Sequence, residues 1–159
     1  MIIRFTVDNT YSFGESTEFS LIAGKGTTND GHVFRGVKRD DISILRSSII
    51  YGANASGKSN LVKSLNLLKK IVINGIPSTG IPFYKLCTEL KERATLEVEL
   101  KYDKTYYAYG VVVNSKEILE EWLYEINKRS ENKIFERKNS SDGVRLDIGK
   151  GLISDKSLY

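Results

Sequence analysis

Apolar and polar positions alternate along several stretches of this chain and take helical spacing in one. From Ile2 to Asn9, the residues Ile3, Phe5 and Val7 fall on one side, which predicts a half-buried strand. Ser16 to Gly24 predicts a second, with Thr17, Phe19 and Leu21 facing one way, and the turn-like NTYSFGE between the two predicts a hairpin. Gly24 to Asp41 is rich in Gly, Thr, Asn and charge and reads as a surface loop. Ser47 to Gly52 predicts a short apolar strand. Beyond it, Leu61, Val62, Leu65, Leu68 and Val72 recur as one buried stripe of a helix from about Lys58 to Ile73. Asn74-Gly75 ends that helix, and Pro77 prevents its resumption.

Downstream the period shortens to two. Leu96, Val98, Leu100 and Tyr102 alternate with Thr95, Glu97, Glu99 and Lys101, the pattern of an antiparallel strand with one wet face. Asp103-Lys104 predicts a tight turn, Tyr106 to Val113 returns, and Asn114-Ser115 turns again into KEILEEWLYEI. That last segment also fits a helix, with Ile118, Leu119, Trp122 and Ile126 on one side. Turns recurring at intervals of about ten residues favour a strand. KIFERK and VRLDI, joined by NSSDG, predict one more hairpin, so everything from Thr95 onward reads as a β-meander.

The predicted strand and helix flank the segment that carries chemistry. Gly52-Ala-Asn-Ala-Ser-Gly57-Lys58-Ser59 matches G-x-x-x-x-G-K-[ST], the Walker A pattern. Gly52 lets the chain leave the strand sharply, and Gly57 permits backbone angles and a close phosphate approach that a Cβ obstructs. The amides of roughly Ala55 to Ser59, Ser56 included, are then free to face phosphate oxygens, helped by the positive end of the helix dipole. Lys58 is expected to reach the β- and γ-phosphates of ATP, and the Ser59 hydroxyl to complete the shell of a Mg²⁺ ion. The competing reading, a flexible Gly/Ser loop, has no use for the strand–loop–helix order. Asn54 sits at the loop's crest, either contacting the γ-phosphate side or a partner subunit, or taking a left-handed turn. Asn60 is expected to buttress the loop. Tyr11 and Phe13 either stack on a base or pack in the core, the second being favoured, and Trp122 is expected in the core.

Composition narrows the class. With 159 residues, 40% hydrophobic and 28% charged, the chain fits one globular domain. No apolar run reaches the roughly 20 residues of a membrane span, and the N-terminus lacks the layout of a secretion signal. One cysteine, Cys87, excludes an internal disulfide, and His32 alone beside it makes a poor zinc site, so the cytoplasm is the expected location. The net charge of +4 is scattered. The basic pairs Lys69-Lys70, Lys128-Arg129 and Arg137-Lys138 read as solvated surface, and charge by itself gives no argument for nucleic acid.

GANASGKSNL, preceded by RFTVDNTYSFGESTEFSLIAG, resembles the ABC-type ATPases of the SMC, RecF and OLD group. The closest likeness is to AAA-labelled, OLD-like ATPases of bacterial anti-phage and abortive-infection systems. The F-x-V-x-N-x-x-S-F segment, EEWLYEI and KIFERK carry the resemblance from about Ile2 to Arg137. It implies an α/β fold: a P-loop NTPase half-domain with an antiparallel β-lobe, the first half of an ABC-type head. It further implies ATP and Mg²⁺ as ligands, hydrolysis in a complete protein whose two heads sandwich ATP, and an effector partner or nucleic acid beside it. The Walker A unit is expected at about residues 42–75 and the β-lobe at about 1–24 and 95–149. The sequence also departs from the pattern: it has no glutamine for a Q-loop, no Ser-Gly-Gly, no apolar run ending in Asp-Glu, and its histidine precedes the loop. The expectation is therefore the N-terminal part of a longer ATPase, ending before Walker B. The rival readings are a non-catalytic nucleotide-binding module and a small-molecule kinase.

Overall fold

The alternating segments pair into one antiparallel sheet. A computed structural model describes residues 1–25, 30–36, 42–86, 91–127, 130–141 and 143–149. In chain order its elements are β1 (Ile2–Asp8), β2 (Thr17–Ser20), a 3-10 turn (Asp30–His32), β3 (Val33–Phe34), β4 (Ile44–Leu45), α1 (Lys58–Asn74), β5 (Ala94–Tyr102), β6 (Thr105–Val113), β7 (Ile118–Ile126), β8 (Glu131–Ser140) and β9 (Gly143–Ile148). The seven-stranded sheet runs β2-β1-β5-β6-β7-β8-β9, and β3 pairs β4 separately. From β5 to β9 each strand pairs with its neighbour in sequence, the meander that the turn spacing predicts. Ile118–Ile126 is thus a strand, not a helix.

Because side chains alternate across a strand, the sheet has two unlike faces. One carries Phe5, Val7, Leu96, Val111 and Val113, all fully buried, with Val98 close behind. Against it α1 lays Ser64, Leu67, Leu68 and Ile71. The predicted stripe is Leu61, Val62, Leu65, Leu68 and Val72; the buried one is rotated from it, and Val62 and Val72 stay exposed. The helix is apolar on more than one side, so periodicity alone does not say which side the sheet takes. Ser64 is tolerated at the seam because its hydroxyl donates to the Asn60 carbonyl at 2.8 Å. Gly75 (φ 76) closes the helix, its N–H bonding Ile71 O.

The opposite face is polar. Arg4 reaches Glu18 and Glu99, Lys133 reaches Asp147 and Glu136, and Lys138 reaches Glu120 and Glu136. Such exposed pairs contribute at most about 1 kcal/mol each. Trp122 lies on this face, half-buried, rather than in the core where its size predicts it. Its indole covers Gly110, where an added methyl would collide with the ring. Its Nε1 donates to Glu97 Oε2 at 3.1 Å.

Burial raises the pKa of the Glu97 carboxyl, the Trp122 bond opposes this, and the Glu99 and Glu131 carboxylates add to the rise. A folded-state pKa above the unfolded one means stability present at acid pH and lost as pH rises through the folded value. Glu97→Gln keeps an acceptor for the indole without the charge. We expect it to raise the melting temperature at pH 7 and to match the parent below the unfolded carboxyl pKa of about 4.3, as thermal melts at the two pH values will read.

Two sequence-based expectations are corrected before the helix. Within Gly24 to Asp41, expected as plain loop, Val33–Phe34 forms a strand against Ile44–Leu45. Ile44 also bridges Ile22 and is fully buried, a non-local partnership invisible in a two-residue strand. Ser47 to Gly52, expected as a strand, pairs with none among the described residues; Ile49 and Tyr51 are 88% and 91% exposed. A strand needs a ladder partner for its amides, and apolar composition supplies none. Cys87, Lys128 and Arg129 lie outside the described residues.

Candidate functional site

The loop Gly52–Ser59 lies between β4 and α1. Upstream, β4 anchors the chain through Ile44; downstream, α1 begins at Lys58. Between them the backbone reverses. Ser56 N–H bonds Ala53 O at 3.3 Å, Ala55 takes φ 62, and Gly57 takes φ 90. The left-handed turn thus falls on Ala55 rather than on Asn54, which stays exposed at the crest. Gly57 is needed twice over. Its conformation is one that L-residues avoid, and a methyl there would meet Ser12 Oγ at 2.9 Å.

Ser12, in the β1–β2 connection, therefore lies beside Gly57. Asn9, buried and at φ 52, donates from its side-chain amide to Lys91 O and Arg93 O, both at 2.8 Å. Thr10 and Phe13 exchange backbone bonds, and Tyr11 N–H bonds Pro82 O. Ser12 is left facing Gly57. The sequence pattern singles out Tyr11 and Phe13 and gives no weight to Ser12, although it is the serine of F-x-V-x-N-x-x-S-F. Tyr11 and Phe13 both pack against the core.

The curled loop brings its own carbonyls to the lysine. Lys58 Nζ donates to Gly52 O at 2.8 Å, Ala53 O at 2.6 Å and Ser56 Oγ at 3.3 Å. Among the described residues no carboxylate pairs with it, and the first turn of α1 has no acidic residue. The Gly57 carbonyl accepts from Asn60 N–H and Leu61 N–H, so the helix starts without a side-chain cap. Asn60 is fixed through its backbone, between Gly57 O and the Ser64 hydroxyl. The amides of Ala55, Gly57, Lys58 and Ser59 make no hydrogen bond among the described residues. Unpaired amides at a helix start, next to a cation, are the elements from which anion sites are made.

The framework is a mixed α/β one, with a glycine-bounded loop leading into a helix. A family model described as "AAA domain, putative AbiEii toxin, Type IV TA system" matches residues 47–156, and the chain belongs to that family. Membership points to a nucleotide-binding P-loop NTPase. No curated protein and no solved structure matches the chain. Among the described residues no helix is long and apolar enough to cross a membrane.

Proposed function

We propose that the Gly52–Ser59 loop binds Mg·ATP and that this chain supplies the nucleotide-gripping part of an ATPase. The observation that carries the reading is the set of amides at Ala55, Gly57, Lys58 and Ser59 that make no hydrogen bond among the described residues, in the loop whose Gly52 and Ala53 carbonyls hold the Lys58 ammonium. A polyphosphate accepts from those amides, while Lys58 exchanges its loop acceptors for β- and γ-oxygens. Asn54, Ser56 and Asn60 frame the same loop. Ser59, exposed in the first helical turn, would hold a Mg²⁺ ion, which neutralises the phosphate charge. No cluster of three His, Cys, Asp or Glu suited to a metal occurs among the described residues.

Hydrolysis is in-line attack of water on the γ-phosphorus, breaking its bond to the β–γ bridging oxygen and releasing ADP and phosphate, with charge stabilised by Lys58 and the loop amides. We assign it to a complete protein in which two heads enclose ATP, acting in anti-phage defence or on nucleic acid through an effector partner. The family description, with its toxin–antitoxin system, supports the defence reading. The alternative is a module in which nucleotide only holds a binding surface in shape. We expect low turnover by this chain alone.

Titration calorimetry with ATP, ADP and adenosine tests the proposal. We expect affinity to depend on the phosphates, with ATP bound and adenosine not. Equal binding of adenosine, or no binding of ATP, refutes it. Phosphate release with and without DNA then separates ATPase from module.

A further inference from the structure

The two edges of the sheet are built differently. β2 is four residues long, and its Glu18 is paired with Arg4, the short charged edge that resists further pairing. β9 is six residues long and, among the described residues, pairs only with β8. Its side chains alternate: Val144, Leu146 and Ile148 are 65%, 56% and 37% exposed, with Arg145 and Asp147 on the other face.

The ladder fixes which β9 amides look outward. Gly149 N–H bonds Ile134 O at 2.9 Å. Neighbouring residues of an antiparallel strand direct their backbone groups to opposite sides. Residues 143, 145, 147 and 149 therefore face β8, while Val144, Leu146 and Ile148 present N–H and C=O to the open edge. The apolar side chains and the outward amides belong to the same residues.

We propose that β9 is a self-pairing edge, through which two copies of this chain join antiparallel about a two-fold axis at Leu146. In that register Leu146 lies opposite Leu146 of the second copy, and Val144 opposite its Ile148, each pair exchanging both backbone hydrogen bonds. Arg145 lies opposite Asp147 of the second copy, and Asp147 opposite its Arg145. The sequence Val-Arg-Leu-Asp-Ile is its own complement when read backwards. The register is also singular. Slipping one copy by two residues, the smallest step that keeps the outward amides facing, sets Arg145 against Arg145 or Asp147 against Asp147. Like charges directly opposite destabilise a sheet. Arg145 has no ion-pair partner among the described residues, and Lys133 engages only Oδ2 of Asp147. The outcome is an isologous dimer with one continuous sheet.

Light scattering and sedimentation of the 159-residue chain, without nucleotide or Mg²⁺, test this apart from any ATP-dependent association. The expected mass is twice 17.9 kDa. Asp147→Arg and Arg145→Asp each place like charges opposite one another and are expected to weaken dimerisation at least about tenfold. The double variant Arg145→Asp/Asp147→Arg restores the pairing and the dimer. Unchanged far-UV circular dichroism and Trp122 emission confirm that the single variants are folded. A folded monomeric parent overturns the proposal. So does a dimer indifferent to both reversals, or a double variant no better than the singles.

Discussion

Lys58→Ala is expected to weaken Mg·ATP binding about 100-fold. A hydrogen bond from a charged donor contributes about 1.5–3 kcal/mol, and each 1.4 kcal/mol is tenfold in affinity. Removing the ammonium from two phosphate oxygens, with water partly taking its place, gives that magnitude. The substitution also removes bonds to Gly52 O, Ala53 O and Ser56 Oγ, so the loop loses its own tie. These groups are solvent-facing, and we expect the melting temperature to stay nearly unchanged. Calorimetric titration beside a thermal melt separates the two effects. An affinity equal to the parent's removes the lysine from the site. A collapse of the melting temperature assigns it a structural role instead.

Phe5→Ala is expected to destabilise the fold by about 3–5 kcal/mol, the usual range for a fully buried aromatic cut to a methyl. Phe5 has no exposed surface and belongs to the cluster that joins α1 to the sheet, with Leu67, Leu68, Ile71, Leu96 and Val98. A domain of this size has a total stability of about 5–15 kcal/mol, so the loss is a large share of the whole. Phe5→Leu keeps most of the volume and is expected to cost about 1 kcal/mol. Urea unfolding followed through Trp122, the single tryptophan, reads both. Equal stability of Phe5→Ala and the parent would mean that the helix is not seated on this face.

The β-meander is legible in the sequence because its code is local. In Thr95 to Val113, strict alternation and a two-residue turn at Asp103-Lys104 specify strand, face and reversal together. The left-handed conformation of Gly57 is legible for a similar reason, being written at its own position, whereas the left-handed turn expected at Asn54 falls on Ala55. What depends on distant partners is not. Ile49 to Tyr51 has strand composition, but a strand exists only where another chain segment accepts its amides. The limits of α1 are predicted to within a residue, yet its buried side is not, because Leu61, Val62, Leu65, Leu67, Leu68, Ile71, Val72 and Ile73 nearly encircle it. Trp122 looks like core by size, and only the neighbouring Gly110 explains why it lies flat on the outer face. Ser12 escapes notice because a serine in a turn signals nothing until Gly57 comes to rest against it.

The order of strands also sets an order of assembly. β5 to β9 need only successive hairpins, whose ends meet after short searches on the microsecond scale. β1 must find β5 across the whole loop–helix region, and the Asn9 side chain closes on Lys91 O from 82 residues away. Chain closure over that distance carries the larger entropic barrier. The meander is therefore expected to zip first as a self-templating platform, with Ser12 coming to rest beside Gly57 only when the N-terminal strand docks.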